Sequence, residues 1–320
     1  MRALILSMGS IGRRHADVLR SMGLSISAIS SQEIADIECY KELETVDINQ
    51  FDYFIIASPT YLHFKHLSYI DLNVCNKIIL CEKPLFDKFR DFNPNNKIFI
   101  GYNLRFHPLI LELKNMLNPS DILTIEARCG QYLPSWRERK YTSSYSAKKE
   151  LGGGVLLDLS HEIDYLSFLC DSKLELIKSY QAKVSNLNIT SDDICMILAK
   201  CNKTLINISL NYLSKTPYRQ ILIETNNNTY HLDLITNTLK IVDQDGKITQ
   251  IQKPNLQRND TFKAMHIDAL NLQNHICTFY QAMDTMRLID QIQKENQGAT
   301  FYAQSVREEA ARVLKIKISA

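Results

Sequence analysis

No stretch of the 320-residue chain is long and apolar enough to cross a membrane, and no two cysteines have the CxxC spacing of a zinc or redox site. The first absence speaks against a membrane partner. The second leaves Cys39, Cys75, Cys81, Cys129, Cys170, Cys195, Cys201 and Cys277 as apolar thiols of a reducing compartment, with no metal site among them. Charge of one sign is also lacking: a formal net charge of +2 makes no basic field, so nucleic acid is not implied as a partner. Met1-Arg2 runs straight into a strand-like segment rather than the apolar core of a signal peptide, which suggests a cytoplasmic protein. No internal repeat or low-complexity tract is visible.

What is present is a chain with 45 % hydrophobic residues, enough for two domains with sizeable cores. At its start, the short apolar run Ala3-Leu4-Ile5-Leu6 meets the turn Ser7-Met8-Gly9-Ser10-Ile11-Gly12, and Arg13 to Met22 has helical composition. Gly9 would let backbone approach a pyrophosphate, Gly12 would allow close helix–strand packing, and the helix amino terminus would add its dipole. This is a dinucleotide fingerprint whose first glycine is replaced by Ser7. The second strand, Ser25 to Ser30, ends in Ser30-Ser31-Gln32, where an NAD enzyme usually offers a carboxylate to the ribose. With no acid to repel a 2′-phosphate and Arg13 near the turn, the pattern leans toward NADP over NAD.

A third strand, Tyr53 to Ala57, stops at Ser58-Pro59-Thr60, and a helix from Thr60 to about Leu72 carries His63 on its first turn. Ile78-Ile79-Leu80 is halted by Cys81-Glu82-Lys83-Pro84, which places Lys83 at the carboxyl end of a buried strand, where open parallel sheets bind ligands. Ile98-Phe99-Ile100-Gly101 follows, so strands and helices alternate as in a doubly wound parallel sheet. The turn-rich Asn118-Pro119-Ser120-Asp121 marks the domain boundary, giving 1–118 and 119–320.

Beyond it, Ile122 to Arg128 alternates as a strand, and Gln131 to Glu150 reads as a long polar loop. Trp136, the only tryptophan, lies there beside Arg137 and Tyr141. An aromatic among cations suits a sugar ring with an attached anion; a lid packed by its own tryptophan is the alternative. Gly152-Gly153-Gly154 opens a helix to about Leu169 on which Asp158, His161 and Asp164 recur at three-residue spacing along one side. Histidine suits proton transfer at neutral pH. Later segments, Lys178 to Val184, Ile194 to Lys200, Leu205 to Leu213, Gln220 to Thr225, Tyr230 to Ile235 and Thr238 to Val242, predict consecutive antiparallel strands. Thr261 to Met283, with His266 and His275, and Phe301 to Leu314 predict helices.

Ser7 to His15, Ser58-Pro59-Thr60 with His63, Glu82-Lys83-Pro84, Gly101 to Phe106, and Gly152-Gly153-Gly154 leading to Asp158 and His161 stand in the order found in the glucose–fructose oxidoreductase and inositol dehydrogenase family. The chain resembles that family over nearly its whole length. The resemblance implies a Rossmann domain followed by an α/β domain with a large, mostly antiparallel open sheet that commonly joins subunits, here into a homodimer or homotetramer. It implies NAD(P)-dependent oxidation or reduction of a sugar or sugar nucleotide, with Lys83 catalytic and the bond before Pro84 cis. Ser7, Gly9, Ser10, Ile11, Gly12, Arg13, Ser30, Ser31, Ser58, Pro59, His63, Glu82 and Lys83 would hold the cofactor. His161 would be the general acid/base, oriented by Asp158, although the step between them is shorter than the family's. Arg105, Trp136, Arg137, Tyr141 and Asp164 would contact substrate. A silent sugar or dinucleotide sensor of the same fold, or a reductase of a non-sugar carbonyl, are the competing readings.

Overall fold

Three apolar runs buried on both faces, β1 (Arg2–Leu6), β4 (Tyr53–Ile56) and β5 (Ile78–Cys81), form the centre of a parallel sheet, because strands sandwiched between helices have no solvent face to make polar. The computed structural model describes residues 1–136, 140–253 and 255–297. Around the central strands lie α1 (Ser10–Ser21), β2 (Ser25–Ile29), β3 (Glu38–Tyr40), α2 (His63–Asn73), β6 (Lys97–Ile100) and α3 (Pro108–Met116). Among the described residues the sheet has seven strands, and its spatial order runs from β3 through β2, β1, β4, β5 and β6 to a last strand contributed from far along the chain. Leu4 pairs with Ser27 on one side and Phe54 on the other, so the chain reverses its winding beside β1. In open α/β sheets that switch point is where ligands sit.

The second sheet has eight strands among the described residues, in the order β14-β13-β12-β11-β7-β10-β9-β8. They are β7 (Ile122–Tyr132), β8 (Glu175–Ala182), β9 (Ile194–Cys201), β10 (Thr204–Asn211), β11 (Leu213–Thr225), β12 (Asn228–Asp233), β13 (Thr238–Asp243) and β14 (Ile248–Gln252). All neighbours pair antiparallel except β7 and β10. Strict alternation sends Ile125, Ala127, Ile197, Ala199, Ile206 and Ile208 into the core, against α4 (Val155–Asp158) and α5 (His161–Leu169). The fold is thus a doubly wound parallel sheet joined to a largely antiparallel open one.

Three local expectations change. Residues 133–135 and 141–151 form short 3₁₀ turns closed by their own hydroxyls and carbonyls rather than an open loop, for example Ser144 Oγ donating to the Tyr141 carbonyl at 2.6 Å. The helix expected over 155–169 breaks at Leu159-Ser160 into α4 and α5, so Asp158 and His161 do not share one regular helical side. The helix expected from Thr261 to Met283 is also interrupted: α6 (Asp260–Asn271) ends at Leu272 in the left-handed region, φ 53°. There the buried Asp268 carboxylate accepts the Ile276 N–H at 2.9 Å and turns the chain into β15 (Cys277–Thr278), which pairs antiparallel with β6. A further helix spans 279–297, and the expected helix from Phe301 to Leu314 lies outside the described residues. The strands β3, β14 and β15 are too short or too polar to stand out in sequence.

Candidate active site

The carboxyl ends of β1, β4, β5 and β6 carry Ser7, Ser58, Glu82-Lys83 and Gly101 to one edge of the first sheet. Ser7 makes the tight turn at φ 80°, a conformation that disfavours any side chain but does not forbid it. A Cβ at Gly12 would lie 2.0 Å from the Ser7 carbonyl oxygen, so only glycine lets α1 approach β1 so closely. At Gly9 a Cβ would meet nothing within 4 Å, which is the open space a pyrophosphate needs. The amino end of α1 has no side-chain cap and no acidic residue in its first turn. Its first N–H groups, starting at Ser10 and Ile11, therefore remain available to an anion. These features fit a bound dinucleotide.

At the end of β2, Ser30 and Ser31 are followed by Gln32, whose side-chain oxygen accepts from Arg13 Nη2 at 3.3 Å. Ser58 and His63 have other occupations than cofactor contact. The Ser58 hydroxyl meets His66 Nδ1 at 2.9 Å, and His63, 1 % exposed, has Nε2 2.9 Å from the Ser58 carbonyl oxygen and Nδ1 3.0 Å from that of Pro84. His63 thus clamps the loop after Lys83 to the end of β4. Its ring is buried beneath the site rather than lining it, because the helix that starts at His63 turns that side chain inward. Pro59 is exposed at the same edge.

Lys83 precedes a cis peptide bond to Pro84, and its ammonium donates to the Asp158 carbonyl at 2.7 Å. This contact crosses from the first sheet to α4, which packs on the second. Burial lowers the Lys83 pKa, opposed by the carboxylates of Asp158 and Glu82. The Asp158 carboxylate accepts from the Tyr212 hydroxyl at 2.5 Å and makes no contact with His161, contrary to its expected orienting role. The break between α4 and α5 is the reason. His161 is 9 % exposed, packs edge-on against Tyr102 at 5.5 Å, and its buried Nδ1 has no hydrogen-bond partner among the described residues. Burial, then the nearby charges of Lys83 and Arg219, drive its pKa well below the ordinary histidine value.

Of the expected substrate contacts, Arg105 and Asp164 are corrected. Each is 1 % exposed, and they form a two-pronged ion pair with Nε to Oδ2 at 2.9 Å and Nη2 to Oδ1 at 2.7 Å. Arg105 also donates to the His275 carbonyl and to Gln281, so it ties α5 to the segment around β15 rather than facing a ligand. Burial alone would lower the Arg105 pKa, but the Asp164 carboxylate more than offsets it. The Tyr141 hydroxyl accepts the Asn188 N–H at 3.2 Å. Trp136 packs edge-on against Tyr212 at 5.2 Å, and its indole N–H is buried without a partner among the described residues. Arg137 lies outside the described residues. Sequence reading passed over Tyr212, on the strand β10–β11 connection, and Arg219, whose guanidinium meets the fully buried Glu162 at 2.7 Å. Both lie on a sheet whose alternation looks purely structural, so nothing local marks them.

Residues 120–242 match the model described as the GFO/IDH/MocA C-terminal domain. Inositol 2-dehydrogenase of Salmonella typhimurium is 24 % identical over 219 residues, covering 60 % of this chain and 61 % of that one. The chain thus spans about three fifths of the length of the curated relatives it matches. Among solved structures, UDP-N-acetylglucosamine 3-dehydrogenase from Acidithiobacillus ferrooxidans superposes with a TM-score of 0.73 at 17 % identity, covering 93 % of this chain and 98 % of that one. An oxidoreductase from Agrobacterium radiobacter in complex with NAD+ does so with a TM-score of 0.79 at 14 % identity, covering 93 % and 97 %. These structural likenesses establish the fold.

Proposed function

We propose that this chain is a member of the GFO/IDH/MocA family, whose C-terminal domain model matches residues 120–242, and a nicotinamide-dinucleotide-dependent oxidoreductase acting on a hydroxyl or ketone carbon of a sugar or sugar nucleotide. The observation that carries the reading is the meeting of Lys83 with α4 of the second domain, 2.7 Å from the Asp158 carbonyl, on the sheet edge that also holds the open space at Gly9. The relatives named above support the substrate class: one acts on inositol, another on a sugar nucleotide.

A bound nicotinamide dinucleotide supplies the hydride acceptor or donor. Gly9 and the first N–H groups of α1, at Ser10, Ile11 and Gly12, would receive its pyrophosphate, with Arg13, Ser30 and Ser31 toward the adenosine end and Pro59, Glu82 and Lys83 toward the other. Lys83 would donate a hydrogen bond to the reacting oxygen and stabilise its developing charge. His161, kept neutral by burial, would take the hydroxyl proton as general base. Asp158 would hold Lys83 through its carbonyl and Tyr212 through its carboxylate. The indole N–H of Trp136, buried beside Tyr212 without a partner among the described residues, would be a further donor to a substrate oxygen.

The test is a screen of sugar nucleotides, free sugars and cyclitols by nicotinamide absorbance, repeated with Lys83→Met. Turnover in the native chain and its loss in the variant, with dinucleotide affinity retained, is expected. Undiminished turnover in Lys83→Met overturns the assignment; tight dinucleotide binding without turnover favours a sensor. The missing carboxylate after β2 leads us to expect NADPH to bind at least as well as NADH, and Ser30→Asp to shift the preference toward NADH. A tenfold preference of the native chain for NADH, about 1.4 kcal/mol, would remove the NADP assignment.

A further inference from the structure

His15 on α1 and His266 on α6 are both 0 % exposed, and the hydride chemistry above uses neither. They lie in a series of three hydrogen bonds. Tyr53 Oη is 2.8 Å from His266 Nδ1, His266 Nε2 is 2.8 Å from His15 Nδ1, and His15 Nε2 is 3.0 Å from Glu82 Oε1. The ends decide which way the protons point. A carboxylate at one end accepts, so His15 carries its proton on Nε2 and presents Nδ1 as an acceptor. His266 must then donate from Nε2 and accept at Nδ1, where the Tyr53 hydroxyl is the donor. One assignment satisfies every member with both imidazoles neutral. Burial, reinforced by His15, holds His266 well below the ordinary histidine pKa, in keeping with a neutral ring.

Reversing the series would require a protonated Glu82 or a doubly protonated His15, and either would leave the Tyr53 hydroxyl, fully buried and otherwise without a partner among the described residues, with no acceptor for its proton. An unsatisfied buried donor costs about 1–3 kcal/mol, which favours the stated direction. At the far end the Glu82 carboxylate is confined: a Cβ at Gly101 would lie 2.6 Å from its Oε1. Its other oxygen accepts the backbone N–H of Lys83 at 3.3 Å. The series therefore runs from the core to the peptide that carries Lys83. It also crosses chain segments, because α6 follows the second sheet yet packs on α1 of the first.

We infer that His15 and His266 are positioning residues: the series from Tyr53 holds Glu82 as a fixed acceptor and so sets the backbone of Lys83, making α6 a working part of the dinucleotide end of the molecule. The effect on turnover rests on the function proposed above; the proton arrangement does not.

Two-bond nitrogen–proton NMR of the full ¹⁵N-labelled chain, without ligand, reads the arrangement directly. Both rings are expected neutral and protonated at Nε2 near neutral pH, and the isosteric Glu82→Gln is expected to leave each ring a mixture of tautomers. Turnover reads the positioning. His266→Phe removes both polar atoms and is expected to lower kcat by up to about 10²-fold, as a slight misplacement of a reacting group can. His266→Gln, whose amide oxygen and nitrogen can replace Nδ1 and Nε2, is expected to restore most of that loss. A native His15 protonated at Nδ1, tautomers indifferent to Glu82→Gln, or a His266→Gln enzyme no better than His266→Phe overturns the inference. No turnover in the native chain with any sugar overturns the functional reading alone and leaves the NMR result to judge the series.

Discussion

At the scale of single residues, the environment of His161 and Lys83 has a consequence for pH. His161 acts as a base only when neutral, and its pKa is driven well below the usual 6.5, so kcat/KM is expected to hold as pH falls through 6.5 and to drop only at lower pH. Lys83 donates its hydrogen bond as the ammonium, and its pKa is lowered from 10.5, so the alkaline limb is expected below pH 10.5. A pH–rate profile with its acid limb at or above 6.5 would remove His161 as the base; His161→Ala should lower kcat about 10²–10⁴-fold and abolish that limb. Arg105 makes the opposite kind of claim. Arg105→Leu leaves the Asp164 carboxylate buried and unpaired, so a loss of about 3–5 kcal/mol in urea unfolding is expected. A loss below about 1 kcal/mol would mean the pair is hydrated in solution.

At the scale of elements, the turn between β1 and α1 can be tested from both sides. Gly9→Val projects into open space, so the variant is expected to fold with native stability while losing affinity for both NADH and NADPH, measured by calorimetric titration. Unchanged affinity for both would place the pyrophosphate elsewhere. Ser7 holds a left-handed conformation, φ 80°, that glycine adopts freely. Ser7→Gly is therefore expected to raise stability by about 1 kcal/mol, the strain relieved being partly offset by a more flexible unfolded chain. A thermal midpoint below the native one would show that the Ser7 side chain contributes more than its backbone strain costs.

At the scale of the whole molecule, the second sheet has one face left uncovered by the described residues. Tyr180, Met196, Leu198 and Leu205 on β8, β9 and β10 are 44–52 % exposed, opposite the face that packs on α4 and α5. Isolated exposed apolar side chains are ordinary, but neighbours across paired strands form a surface that association would bury. We expect a homodimer or homotetramer by sedimentation velocity, and dissociation to smaller species in Leu198→Glu. A native chain that sediments as a monomer at micromolar concentration would end that expectation.

Much of this molecule was legible along the chain. Local composition carries what depends on neighbours in sequence: the both-faces-apolar strands β1, β4 and β5, the alternation of β7, β9 and β10, the glycine turn, and Lys83 at a strand end stopped by proline. Those features rest on backbone geometry and on burial of nearby side chains, which a single sequence records directly. Other facts required the folded chain. Arg105, in the motif after Gly101, and Asp164, in step with Asp158 and His161, were expected to contact substrate, but packing brings them together and away from solvent. Asp158 looked like a partner of His161 through a spacing that the break at Leu159-Ser160 annuls. The Tyr53, His266, His15 and Glu82 series joins residues up to 251 positions apart, and no local pattern can encode which distant polar groups will share a dry interior. Tertiary structure decides such pairings because a buried polar atom must find its partner wherever the fold supplies one.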